Sequence, residues 1–165
     1  MILTKLKLVA VSLSLSLFIV TMAHAQTTAA APVPAQFGTA QTVFLSAAGA
    51  PSFGPRATFY TNASYESMYN ALTTLKQYRL VPAPTGADLT MEISIFMTLG
   101  NASSVPAESL RLTIRDSKTQ ALLWTIDVPL AIGVRDKTLA KNIDDASAKI
   151  ASDLKALAAG KEPQQ

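Results

Sequence analysis

Whatever chemistry this chain performs must come from carboxylates, guanidinium groups, hydroxyls and one indole. It has 165 residues, no Cys and a single His, His24. His24 falls inside a segment that reads as an export signal, so the working protein is expected to have neither imidazole nor thiol. A Ser-His-Asp triad, a Cys-His pair, thiol redox chemistry and disulfides then drop out. So do the His and Cys ligand sets of zinc, haem and iron–sulfur centres. Carboxylates remain, because a glycosidase needs only two acids across a scissile bond. The candidates are Asp88, Glu92, Asp116 and Asp127. Asp88 and Asp116 fall at strand ends or turns, and Asp127 is expected opposite Arg111. A carboxylate-based, glycosidase-like hydrolase acting outside the cytoplasm is therefore the alternative. The favoured expectation is a chain with no catalytic residues, no metal and no cofactor. Asp144-Asp145 is an adjacent acid pair, but side chains at successive helix positions diverge, and no calcium-binding loop surrounds them.

The residues best suited to binding are Arg111, Arg115, Trp124, Phe53 and Arg56. Arg111 and Arg115 alternate with apolar neighbours and share one strand face, where they form either a solvated surface or a site for an anionic group. Trp124 is a core anchor or a contact residue. Phe53 and Arg56 lie in a long Gly- and Pro-containing connection, and loops of that length often carry function. Asn62-Ala63-Ser64 and Asn101-Ala102-Ser103 match a glycosylation triplet that arises often by chance.

The opening residues set the compartment. Lys5 and Lys7 precede an apolar run from Leu8 to Met22, and Ala23-His24-Ala25 offers small residues for a signal peptidase. This predicts a signal peptide over 1–25, cut before Gln26. An uncleaved anchor is the other reading, but the run falls short of the roughly 20 residues a span needs. Removing Lys5 and Lys7 from the 14 basic residues leaves 12 against 11 acids, a net charge of +1. That balance gives no reason to expect nucleic acid or an anionic surface as partner. The expected product is an exported protein without a stable membrane span, periplasmic or secreted.

These side chains need a scaffold. Residues 26–39, rich in Ala, Pro and Thr, read as a flexible leader, and 161–165 as a frayed tail around a single domain over 40–160. Gln41–Ser46 is β-branched and aromatic and predicts a first strand. Ala47 to Asn62 follows as a connection, with Ser64 as the N-cap of a helix carrying Tyr65, Met68, Leu72 and Leu75 on one face. Tyr78–Val81 is a short strand. Leu89, Met91, Ile93, Ile95 and Met97 alternate with polar residues in a half-buried strand. Leu110, Leu112 and Ile114 alternate likewise, as do Leu122, Trp124, Ile126 and Val128, and the two runs form a hairpin. Matching their apolar faces puts Ile114 opposite Trp124 and Arg111 opposite Asp127, with a bulge expected near Gln120 or Ala121. A last helix carries Leu139, Ile143, Ala146, Ile150, Leu154 and Leu157 as one stripe, with Asp136 as N-cap and Gly160 as its stop. The order β-α-β-β-β-β-α predicts an α+β two-layer sandwich. It has one mixed, mostly antiparallel sheet of about five strands packed on two helices, with its natural parallel step across Ala40 to Val81.

Four stretches carry a resemblance: Ala87-Asp88-Leu89, Leu110 through Asp116, Leu122-Leu123-Trp124, and Asp153-Leu154-Lys155-Ala156-Leu157. Together they resemble small exported bacterial proteins of unknown function, in which an Ala-Asp-Leu strand precedes a hairpin of the form Arg-Asp-Pro-Lys-Thr-Gly followed by Leu-Trp. The chain departs from that pattern at Ser117 and Gln120, where it would have Pro and Gly. Gln120 is then strained if the turn holds it at positive φ. More distantly, the element order is similar to CsgG-like and TolB amino-terminal envelope modules. The resemblance implies an α/β envelope protein without catalytic residues; taken with export and the missing catalytic types, the expectation is a non-catalytic module that binds or assembles with an envelope protein or a small ligand.

Overall fold

The structure, a computed structural model, describes residues 32–98, 107–131 and 135–163. The expected signal peptide, residues 26–31 of the expected leader, the Asn101 triplet and the last two tail residues lie outside them.

Every long strand forms where the sequence alternates. Strands β1 (Thr42–Ala47), β2 (Arg79–Leu80), β3 (Leu89–Thr98), β4 (Ala107–Asp116) and β5 (Leu122–Leu130) make one open sheet in the order β2-β1-β3-β4-β5. Among the described residues three α-helices accompany it: one turn at α1 (Gln36–Thr39), then α2 (Ala57–Leu75) and α3 (Asp136–Ala158). The fold is α+β, a mixed five-stranded sheet packed with helices. Val43, Leu89, Met91, Ile93, Leu110, Leu112 and Ile114 put their side chains into a core completed by Met68 and Leu72 of α2 and by Leu139, Ile143, Ile150 and Leu154 of α3. Each is 0 % exposed. Burying a side chain of this size stabilises by roughly 1.5–3 kcal/mol before conformational entropy is counted.

The sheet has two parallel pairings, where the sequence suggests one. β1 pairs β2 in parallel, across α2, and also pairs β3 in parallel through Val43↔Leu89 to Ala47↔Ile93. β3–β4 and β4–β5 are antiparallel. The expected cross-strand partners are present: Ile114 faces Trp124 and Arg111 faces Asp127.

The bulge falls at Leu123, not at Gln120 or Ala121. The Asp116 carboxylate accepts from the amides of Lys118 and Thr119 and from the Thr119 hydroxyl, and Asp116 N–H donates to Ala121 O. That turn closes in a register that continues to Arg115↔Leu122, one residue out of step with Ile114↔Trp124. The mismatch is absorbed inside β5, where Leu123 is left over.

Four further expectations are corrected. The 47–62 connection is largely structured: a 3₁₀ turn over Pro51–Arg56 runs directly into α2. Ser64 is therefore not an N-cap. It is buried inside α2, and its hydroxyl donates to Thr61 O. Capping preference gives way because Tyr60, one turn earlier, is 4 % exposed and anchors the extra turns. Asp136 is the first residue of α3, with Arg135 at the cap position. The leader becomes ordered before residue 40: α1 buries Phe37 to 1 % exposure, and a Cβ on Gly38 would sit 3.2 Å from Ala158 O, so a small residue lets α1 close on the end of α3. The stop of α3 is as expected. Gly160 at φ 71° donates to Leu157 O while Lys161 N–H donates to Ala156 O.

Candidate functional site

The sheet has one face under the helices and one that, among the described residues, has no helix over it. Alternation on β3 and β4 sends Glu92, Ser94, Phe96, Arg111, Thr113 and Arg115 to the second. Arg111 is the best held of these. Its Nε and Nη2 donate to the two carboxylate oxygens of Asp127 at 2.6 and 2.9 Å, and its guanidinium lies 4.1 Å from the centre of the Phe96 ring. The Asp127 hydrogen bond raises the Arg111 pKa further. Arg111 is thus spent on a bidentate pair and a stacking contact. Arg115 is exposed and reaches Gln120 O at 3.5 Å.

Trp124 belongs to the other face. It pairs with Ile114, packs on the core and meets Phe37 edge-to-face at 6.4 Å between ring centres. It also lines a groove of about 490 Å³ along the free edge of the sheet, with Thr125, Ile126, Asp127 and Pro129 on β5, Lys149 and Asp153 on α3, and Glu162 and Pro163 beyond it. Asp127 joins the groove to the Arg111 pair, so two of the expected binding residues are neighbours through it.

The remaining candidates lie elsewhere. Arg56 forms an ion pair with Asp136, at the start of α3, and lies 6.0 and 5.9 Å from the ring centres of Phe59 and Tyr60. It joins the beginnings of α2 and α3, an exposed bridge of small energetic worth. The Phe53 side chain lies outside the described residues.

The carboxylates hold turns and strands. Asp88 Oδ2 accepts from the amides of Gln41 and Thr42 and from the Thr42 hydroxyl, each at 2.9 Å, locking the start of β1 to the start of β3. Those backbone hydrogen bonds hold its pKa below the ordinary value. Asp116 is lowered too, first by the Thr119 amide. A lowered carboxyl is a poor general acid at neutral pH. Glu92 is exposed on β3 opposite Ser46 and Thr113. Asp144 accepts from Ser67 at 2.7 Å while Asp145 pairs with Lys141, so the adjacent acids turn to different partners. Among the described residues no group of three metal-ligating side chains comes together, and no helix is long and apolar enough to cross a membrane.

Sequence reasoning named Trp124 but missed the groove, because its walls come from β5, α3 and the tail, which only the tertiary structure brings together. The alternation of β5 and its place as the last strand of a hairpin were its one available signal.

No family model and no curated protein matches this chain. Solved structures share its outline. A PelC dodecamer from Paraburkholderia phytofirmans is 16 % identical, covering 76 % of this chain and 93 % of that one, with a TM-score of 0.46. A DUF330 protein from Xanthomonas campestris is 15 % identical over 72 % and 84 % of the two chains, TM-score 0.41. Lipoprotein GNA1162 from Neisseria meningitidis is 13 % identical over 68 % and 99 %, TM-score 0.37. At this identity each is a likeness of backbone outline and carries no residue role.

Proposed function

We propose that the chain is exported and works in the cell envelope as a non-catalytic binding or assembly module, the role implied by its resemblance to small envelope proteins and, more distantly, to CsgG-like and TolB amino-terminal modules. The basic, apolar and small-residue pattern of residues 5–25 supports export. One observation carries the non-catalytic half. Asp88, Asp116 and Asp127, three of the four candidate acids, are each taken up by two or three short hydrogen bonds within the fold. The groove lined by Trp124 is the surface this reading assigns to an envelope protein or a small ligand.

The test is retrieval of partners from envelope extract by the chain recovered after export, with intact mass reporting a start at Gln26. A partner or co-purifying molecule is expected with the wild type and is lost with Thr125→Lys, which puts a long cationic side chain into the groove without entering the core. Trp124→Ala, checked for folding by circular dichroism, gives the same loss. Turnover on a glycoside and ester panel that Asp127→Asn abolishes would replace this reading with a hydrolase.

A further inference from the structure

The two long helices present very different surfaces. α3 carries four Asp and four Lys, whereas Glu66 is the only carboxylate or cation within α2. The exposed side chains of α2 are Thr, Asn and Tyr, with that one Glu. Solvated helix faces normally carry charge, and protein interfaces lose it while gaining Tyr. Tyr65 and Tyr69 are 37 % and 44 % exposed, stand 6.2 Å apart and flank the middle of α2. Together with Glu66 and Asn70 they line a hollow of about 370 Å³. Asn70 also lines the next depression, a groove of about 680 Å³ between α2 and α3 floored by small side chains including Ala71, Ala148 and Ser152 and bordered by Asp144 and Lys155. One surface thus bears a protruding aromatic pair beside a recess of small residues.

We propose that this surface binds a second copy of the chain, with Tyr65 and Tyr69 of each copy seated in the α2–α3 groove of the other. The proposal is independent of the groove at β5. A two-fold contact needs one patch that complements itself, and a knob beside a hole does so when turned through 180°. Charge suits the same occupant: the patch carries Glu66 beside the hollow and Asp144 and Lys155 in the groove wall, two acids and one base, so it meets its own image with little net repulsion. Tyr is the residue type that supplies most energy at the centre of such contacts. The patch is one helix long, about 28 Å, which limits how far two copies can approach the roughly 800 Å² per partner of a standard interface. The dimer is therefore weak, to be read at tens to hundreds of micromolar protein.

Sedimentation equilibrium of the purified chain tests this. The wild type is expected to dimerise with rising concentration. The Tyr65→Ser/Tyr69→Ser double variant and, separately, Ala148→Glu each weaken association at least tenfold while circular dichroism stays unchanged, since all three positions are exposed. The chain has no Cys, so single cysteines report proximity cleanly: Asn70→Cys forms a disulfide-linked dimer under mild oxidation and Thr113→Cys, on the far face of the sheet, does not. A monomer at every concentration overturns the proposal. So does a dimer that both the tyrosine and the groove variants leave intact, or one that cross-links through residue 113 in place of residue 70.

Discussion

At the scale of single residues, Asp88 shows how a carboxylate that looks available for chemistry is consumed by structure. Its Oδ2 accepts three hydrogen bonds, and its own N–H donates back to the Thr42 hydroxyl at 2.9 Å. Its ionised form is therefore favoured in the folded state, and its pKa lies below the ordinary 3.8. The native state then binds fewer protons than the unfolded chain as pH falls through that range. Its contribution is present above the unfolded pKa and is lost as pH drops through the lower, folded one. Asp88→Asn should cost about 1 kcal/mol at neutral pH, a figure kept small because the group is exposed. In urea melts the gap to wild type should close below pH 4; a gap that stays constant with pH would mean Asp88 stabilises only as a hydrogen-bonding shape. The residue types and the absence of His and Cys from the described fold were legible in the sequence. The hydrogen bonds of Asp88 were not, because they join residues 46 and 47 positions apart.

At the scale of elements, two positions set how the hairpin behaves. Gln120 sits at φ 58°, in the left-handed region where the related turn pattern has Gly. Its side chain recovers part of the strain by donating to Ser117 O at 2.8 Å. Gln120→Gly should therefore raise stability by about 0.5 kcal/mol, the strain relief net of that bond and of glycine's larger unfolded-state entropy, seen as a small rise in the urea midpoint with unchanged slope. Pro129 acts at the open edge. β5 is the last strand of the sheet and carries a proline, which removes one donor from a row that would otherwise template another strand. Pro129→Val restores the donor and should increase aggregation on mild heating, measured by light scattering; unchanged scattering would show that the edge is guarded by something other than Pro129. Alternation made the strands and their partners readable, since apolar parity alone dictates Ile114 against Trp124. The place of the bulge was not readable, because the local turn at Asp116 competes with that parity and the compromise falls at Leu123.

At the scale of the whole molecule, the helical layer and the sheet are joined at one corner by α1. Phe37 is 1 % exposed, touches the only Trp of the chain edge-to-face, and its carbonyl accepts from the Tyr78 hydroxyl at 3.2 Å. Burial of that phenol pushes its pKa up to about 12. Phe37→Ala should cost about 3–4 kcal/mol and shift the Trp124 emission to the red as the indole gains water; full stability with unshifted emission would mean that α1 is not a working part of the core. Sequence alone determined the five strands and the two long helices, the apolar stripe of α3, the hairpin pairing from Arg111 against Asp127 to Ile114 against Trp124 and the residue chemistry available, because each depends on periodicity or composition within a short window. Tertiary structure alone decided that Phe37 belongs to the core and meets Trp124 edge-to-face, that α2 begins at Ala57 and swallows Ser64, and that β1 lies between two parallel neighbours. Those outcomes rest on contacts between segments far apart in the chain, where the apolar surface buried by the whole outweighs what any local signal prefers.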